Sequence, residues 1–198
     1  MGEGHQLWLV RHGATEWSEN GRHTSVTDLP LLPEGRSGAE ALRPALTAHT
    51  FAKVLASPRL RAMQTAAAAG FSEPEVDEDL VEWDYGPGEG LTTQQIHQLV
   101  PGWLIWTNGA PTLERDGFSA GETVEAVGDR MDRVLARIKS IDGDSLVFGH
   151  GHALRALTAR WLGFPVAAGS HFPLQTSTVC VLGWEHGVPG ILRWNASG

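Results

Sequence analysis

The sequence predicts an α/β fold built on a mostly parallel sheet, and three observations carry that expectation. Short apolar runs alternate with amphipathic helical segments, the pattern left by crossover connections between parallel strands. Two of those runs end abruptly in a histidine flanked by glycine, at Arg11-His12-Gly13 and Gly149-His150-Gly151, as strands do when they deliver side chains to the carboxyl rim of such a sheet. The length of 198 residues suits one domain with room for an inserted subdomain.

The elements follow in order. Residues 7–10 are apolar and read as a buried strand. A helix is expected over about 33–48, with Pro33 tolerated in its first turn and Ala39, Leu42, Ala45 and Leu46 on one face. Residues 53–57 read as a short strand, after which Pro58 leads into an alanine-rich helix over 59–69, stopped by Gly70. From 74 to 80 the chain is acidic and shows no clear period. Residues 85–121 are rich in Gly and Trp and read as an excursion from the sheet. A short helix at 92–99 and a loop marked by Pro101, Gly102, Gly109 and Pro111 lie within it. A long helix over 123–140 aligns Val124, Val127, Met131, Val134, Leu135 and Ile138. A strand at 146–148, a helix at 153–162 stopped by Gly163 and Pro165, and late strands at 178–182 and 191–194, the last an edge, complete the pattern.

Composition narrows the function. With 41% hydrophobic and 19% charged residues the chain has the balance of a soluble globular domain, and no apolar run approaches the roughly 18 residues of a membrane span. Residues 1–6 lack the basic and apolar regions of a signal peptide, and Gln6 stands where a myristoylation site wants Ser or Thr. Cys180 is the single cysteine, set in an apolar run, so it reads as a buried inert thiol; no internal disulfide can form, and a reducing cytoplasm is the expected compartment. A net charge of -8 argues against nucleic acid as partner, although a few converging arginines still make a local anion site.

In a parallel sheet the two histidine-bearing strand ends lie on one rim. The strand at 53–57 ends at Ser57-Pro58-Arg59-Leu60-Arg61, so an arginine and a helix N-terminus join them there. Two imidazoles, two or three guanidiniums and a helix start suit a phosphate, which Arg binds through paired charge-assisted hydrogen bonds. Gly13 is expected to let a ligand approach the backbone. Glu82, between apolar neighbours, suits a carboxyl that hands over a proton.

Taken together, these stretches resemble the histidine phosphatase superfamily, also called phosphoglycerate-mutase-like. The resemblance rests on Arg11-His12-Gly13 with Thr15 and Trp17, on 57–66, on Glu82 with Tyr85-Gly86 and Glu89-Gly90, on Gly121-Glu122-Thr123, and on His150-Gly151, in register over nearly the whole chain. It implies a single domain over 1–198: a three-layer sandwich with helices on both faces of the sheet, an antiparallel edge strand and a small helical cap inserted at about 84–121. It implies that His12 becomes phosphorylated, that Arg11, Arg61 and His150 hold the transferring group, and that Glu82 donates and accepts the proton, with Arg59 structural. No metal or other cofactor is then required. Gly13, Ser18, His23, Thr24, Ser25, Tyr85 and Gly151 are the expected substrate contacts. Ser18 stands where mutases of the family commonly have Asn, and Ser25 where they have Gly.

The expected activity is hydrolysis of a small phosphorylated metabolite, and a homodimer stays open. Between Arg61 and Arg130 the chain has one arginine, Arg115, among many acids, which favours a substrate with one phosphate over a bisphosphate or a mutase reaction. The motifs around Glu82 and His150 look most like the acid phosphatase and sugar-phosphate phosphatase branches. A metal hydrolase using His150 and His152 with His12 or Asp84 is the rival from another class, and a non-catalytic phosphate-binding module is a third reading. Trp103 and Trp106 fit either a pocket wall or packing of the cap.

Overall fold

A computed structural model describes residues 4–197; the reading of residues 1–3 as free of a leader or lipidation signal lies outside them. Strand β1 (Leu7–Arg11) alternates its side chains between two cores, as strand geometry requires. Leu7 and Leu9 join a cluster with Val127, Met131, Ile138 and Leu157, on helices α6 (Val124–Lys139) and α7 (Gly151–Trp161). Val10 joins Leu42, Leu46 and Ala66, on α2 (Pro33–Thr47) and α3 (Leu60–Ala68). A sheet apolar on both faces must be covered on both, so helices lie on either side.

The sheet order is β3-β2-β4-β1-β5-β6, with β2 at Lys53–Ala56, β3 at Glu75–Val76, β4 at Ser145–Gly149, β5 at Val179–Glu185 and β6 at Val188–Ala196. β1, β2, β3 and β4 run parallel. β5 runs against β1, and the edge strand β6 pairs antiparallel with β5. The antiparallel pair therefore closes one edge of the sheet. Register matters most in the centre: Arg11 pairs with Gly149, and Ala56 with Phe148. One further bond extends each ladder, His12 N–H to the Gly149 carbonyl and Ser57 N–H to the Phe148 carbonyl, both 3.0 Å. The three strands thus end level, and the next residues of the chain are His12, Ser57 and His150.

Several features were not expected from sequence. A one-turn helix α1 (Glu16–Glu19) follows β1, started by a capping box between Thr15 and Ser18. The acidic stretch supplies β3, and its Asp77 and Asp79 pair with Arg137 and Arg133 of α6, which explains the charge without invoking a ligand. The excursion contains the short helix expected there, α4 (Thr93–Leu99), and a second, unexpected one, α5 (Ile105–Asn108). It lies against the main body through buried Ile96, Trp103, Ile105 and Trp106. No helix among the described residues is long and apolar enough to cross a membrane.

Gly13 has a different reason from the one expected. A Cβ there would come within 2.3 Å of the Gly35 carbonyl oxygen, and a Cβ on Gly35 within 2.2 Å of the Ala14 carbonyl oxygen. The backbone N–H of Gly13 is already given to Thr65 Oγ1 at 3.0 Å. The glycine therefore lets the loop after β1 lie against the first turn of α2, rather than opening the backbone to a ligand. Backbone atoms cannot rotate aside as a side chain can. Gly35→Ala is expected to lower stability by about 1–3 kcal/mol, the scale of an overpacked site, read as a lower urea midpoint with an unchanged slope.

Candidate active site

His12 is 5% exposed at the end of β1. Its Nδ1 lies 2.8 Å from the carbonyl of Gly13. A carbonyl only accepts, so Nδ1 carries the proton and Nε2 keeps its lone pair. Burial and the charges of Arg11 and Arg61 hold the His12 pKa well below the usual histidine range, so the ring is neutral. The His150 ring lies 5.3 Å from it, centroid to centroid. Burial, with Arg61 first among the charges, pushes His150 the same way.

Arg61 is fully buried at the start of α3. Its Nη atoms donate to the carbonyls of Thr27 (3.2 Å), Thr24 (3.1 Å) and Ser25 (3.3 Å), and Asp28 lies 3.9 Å away. Arg11 donates through Nη1 to the Leu174 carbonyl. Desolvation lowers the pKa of both guanidiniums and Glu82 opposes it; they remain cations. The Nε of each, and Nδ1 of His150, are buried without a hydrogen-bond partner. Unpartnered buried polar atoms are rare in folded proteins, and here three of them belong to the groups that surround His12.

Glu82 is held as an acceptor. Its Oε1 takes the N–H groups of Trp83 and Ala153, each at 2.8 Å, and its Oε2 that of His152 at 3.0 Å. Two of these donors lie in the first turn of α7, so the carboxylate caps the helix that begins beside His150. The apolar slot expected from sequence is instead a set of polar donors. Arg130 fixes the backbone around Glu82. It donates to the Asp79 and Val81 carbonyls at 2.7 and 2.8 Å, and pairs with both oxygens of Glu122 at 2.9 and 2.8 Å. Glu122 in turn accepts the Asp84 N–H at 2.9 Å.

Arg11, His12, Ser18, His23, Thr24, Glu82, Tyr85 and Gly151 line one cavity of about 250 Å³. Arg61, His150, Gly13 and Ser25 lie behind it. Ser25 is 2% exposed and spends its hydroxyl on Glu89 at 2.7 Å, so it braces the loop that holds Arg61. Ser18 reaches the cavity, but its oxygen accepts the Thr15 N–H at 2.9 Å in the capping box of α1 and its hydroxyl proton goes to the Thr15 carbonyl at 3.0 Å, rather than outward as expected. Burial lowers the pKa of His23 to about 4, and its ring sits 4.6 Å from that of Tyr85.

The cavity also holds Trp17, Arg22, Thr93, His152, Arg155 and Leu174, which sequence reasoning did not assign to it. Arg155 falls one helical turn after Gly151 on α7, a spacing that could have found it. Tyr85 Oη lies 2.6 Å from His152 Nδ1, while His150 Nε2 meets Ser57. The two histidine rings therefore serve different partners and do not chelate as a pair. Among the described residues no three or more His, Cys, Asp and Glu gather in a group that could hold a metal ion. Trp103 and Trp106 are buried and do not line the cavity; they back its wall, against the rings of His23 and His152.

A family model for the histidine phosphatase superfamily (branch 1) matches residues 7–197. An acid phosphatase of Mycobacterium tuberculosis is 43% identical over 188 residues, covering 93% of this chain and 89% of that protein. A sedoheptulose 1,7-bisphosphatase of Saccharomyces cerevisiae is 37% identical over 191 residues, covering 80% of this chain and 68% of that protein. A solved structure of a Mycobacterium tuberculosis open reading frame product superposes with a TM-score of 0.90 at 40% identity, over 98% of this chain and 99% of that one.

The neutral buried histidines make stability depend on acid. Below about pH 6.5 the unfolded chain binds protons that His12 and His150 in the folded state refuse. Stability is therefore expected to be level above that pH and to fall below it, by up to about 1.4 kcal/mol per pH unit for each ring. Urea midpoints in phosphate-free buffer at pH 7.5 and 5 measure this, and His150→Gln is expected to reduce the difference.

Proposed function

The chain belongs to the histidine phosphatase superfamily, and on that premise we propose that its phosphohydrolase activity on phosphorylated metabolites runs through a phosphohistidine at His12. The observation that carries this is the set of buried polar atoms without partners, Nε of Arg11, Nε of Arg61 and Nδ1 of His150, around the His12 imidazole, whose own proton is fixed on Nδ1. Nε2 attacks phosphorus as the ester P–O bond breaks, and the leaving oxygen is protonated through Glu82, whose carboxylate collects the proton from a monoanionic phosphate and passes it on. The Gly13 carbonyl supports the charge that develops on the ring. Water then attacks phosphorus, Glu82 takes its proton, the P–N bond breaks, and His12 returns to its neutral form with release of inorganic phosphate. Charge on the equatorial oxygens meets Arg11, Arg61 and His150.

The substrate follows from the wall. Ser18, His23, Thr24, Tyr85, Thr93 and His152 make it mostly polar, with Trp17 and Leu174 as its apolar members. That favours a hydroxyl-rich leaving group over an alkyl or aryl one, in keeping with the sugar named for the yeast relative. Residues 84–121 act as a cap, giving Tyr85 and Thr93 to the wall. Arg115, the cap arginine, is spent on the carbonyls of Pro87 and Glu89. Counting cap cations nonetheless understates the charge at the site, because Arg22 and Arg155 reach it from outside the cap. These two cations would meet a second anionic group on the substrate, Arg155 doing so while its Nε and Nη2 are held by the carbonyls of Gly169 and Ser170 at 3.0 and 3.1 Å.

His12→Ala is expected to abolish both turnover and acid-labile labelling of the protein by a phosphorylated substrate; a labelled, active variant would remove His12 from the mechanism. Glu82→Gln is expected to slow alkyl phosphates far more than an activated aryl phosphate, whose leaving group needs no proton. Arg155→Ala is expected to raise KM for a sugar bisphosphate by about tenfold or more, the scale of a charged hydrogen bond, while a sugar monophosphate changes little. Equal effects on the two would place the second anion elsewhere.

A further inference from the structure

Ser57 directly follows β2 and is fully buried. The pairing of Ala56 with Phe148 sets it beside the chain leading to His150. Its Oγ lies 2.7 Å from Nε2 of His150 and accepts the N–H of Arg59 at 3.3 Å. A neutral imidazole has one proton and a hydroxyl has one, so the two possible arrangements can be compared. If Nε2 donated to Ser57, the hydroxyl proton would have no acceptor and Nδ1 would present a bare lone pair. If Ser57 donates to Nε2, its oxygen still receives Arg59, every proton on the Ser57 side is used, and the imidazole proton sits on Nδ1. Nδ1 is the atom that is buried without a partner.

We propose that Ser57 is a positioning residue: by donating its hydroxyl proton to Nε2 of His150, it fixes the imidazole proton on Nδ1, ready for an oxygen of the transferring phosphoryl group. The proposal rests on the phosphoryl-transfer reading of the site. An imidazole without this bond divides between two tautomers, and the wrong one turns a lone pair toward an anion. Arg11 and Arg61 supply charge whatever the state of His150. What Ser57 adds is a directed hydrogen bond from a neutral group.

The test begins with the unaltered protein, labelled with 15N-histidine in phosphate-free buffer. Long-range proton–nitrogen correlation is expected to show His150 protonated at Nδ1 and bare at Nε2. In Ser57→Ala that single tautomer is expected to be lost. Turnover should fall roughly 10–100-fold, the scale seen when a partner that orients a functional imidazole is removed, with kcat affected more than KM. In a His150→Ala background the same substitution should cost little further, because its effect passes through His150. A proton on Nε2 of the unaltered protein overturns the proposal, and decides it even if the variant fails to fold. So does a Ser57→Ala enzyme within about twofold of the parent kcat, or a loss that persists undiminished without His150. The tautomer is read on resting protein, whereas the phosphohistidine reading stands or falls on labelling of His12, so the two can fail separately.

Discussion

The level ending of three parallel strands is the constraint on which the site depends. Hydrogen-bond register fixes where β1, β2 and β4 stop relative to one another, and one residue of slip would turn every side chain to the opposite face. The two apolar cores forbid that slip, because β1 feeds Leu9 to one and Val10 to the other. Hydrophobic burial thus secures a polar arrangement it never touches. His12, Ser57 and His150 meet because Leu7, Leu9, Val147 and Phe148 must be covered.

A second dependence is electrostatic. The protein carries a net charge of -8, yet places a buried guanidinium, Arg61, and a half-buried one, Arg11, beside its candidate nucleophile. Carbonyl oxygens, with Glu82 and Asp28 at longer range, hold those cations in place without quenching them. Their field suppresses the proton affinity of His12 and His150. The same desolvated charge that would attract a dianion therefore keeps His12 neutral, with Nε2 bare. The destabilisation such a pocket carries is the ordinary companion of preorganised charge.

Much of this was legible in the sequence, for identifiable reasons. Strand ends marked by His-Gly, and helices with a clear period such as α6, announce themselves locally, and a set of motifs in order narrows the family further. What escaped depends on distant partners. Gly13 looked like a ligand contact because nothing nearby says that Gly35 crosses it. Ser18 looked like a phosphate donor because the turn of α1 that engages both its oxygen and its proton at Thr15 exists only once that helix forms. Two of the three donors around Glu82 come from residues 152 and 153, some seventy positions away. Arg22 and Arg155 reach the cavity from the loop after α1 and from α7, a convergence that nothing local to either stretch announces.

The two ends of the excursion are tied to each other. Asp84 gives its N–H to the side chain of Glu122 and receives the N–H of Glu122 on its own carbonyl at 2.8 Å, while Arg130 grips Glu122 from the main body. The intervening chain is thus a bight whose neck is knotted independently of its length. Closing a longer or shorter one differs by only a fraction of a kcal/mol per doubling, roughly 0.6. Glu82, just outside the neck, is insulated from such changes. That makes the span an exchangeable module: one reaction centre can be refitted for new esters by grafting a different stretch between the same two anchor points.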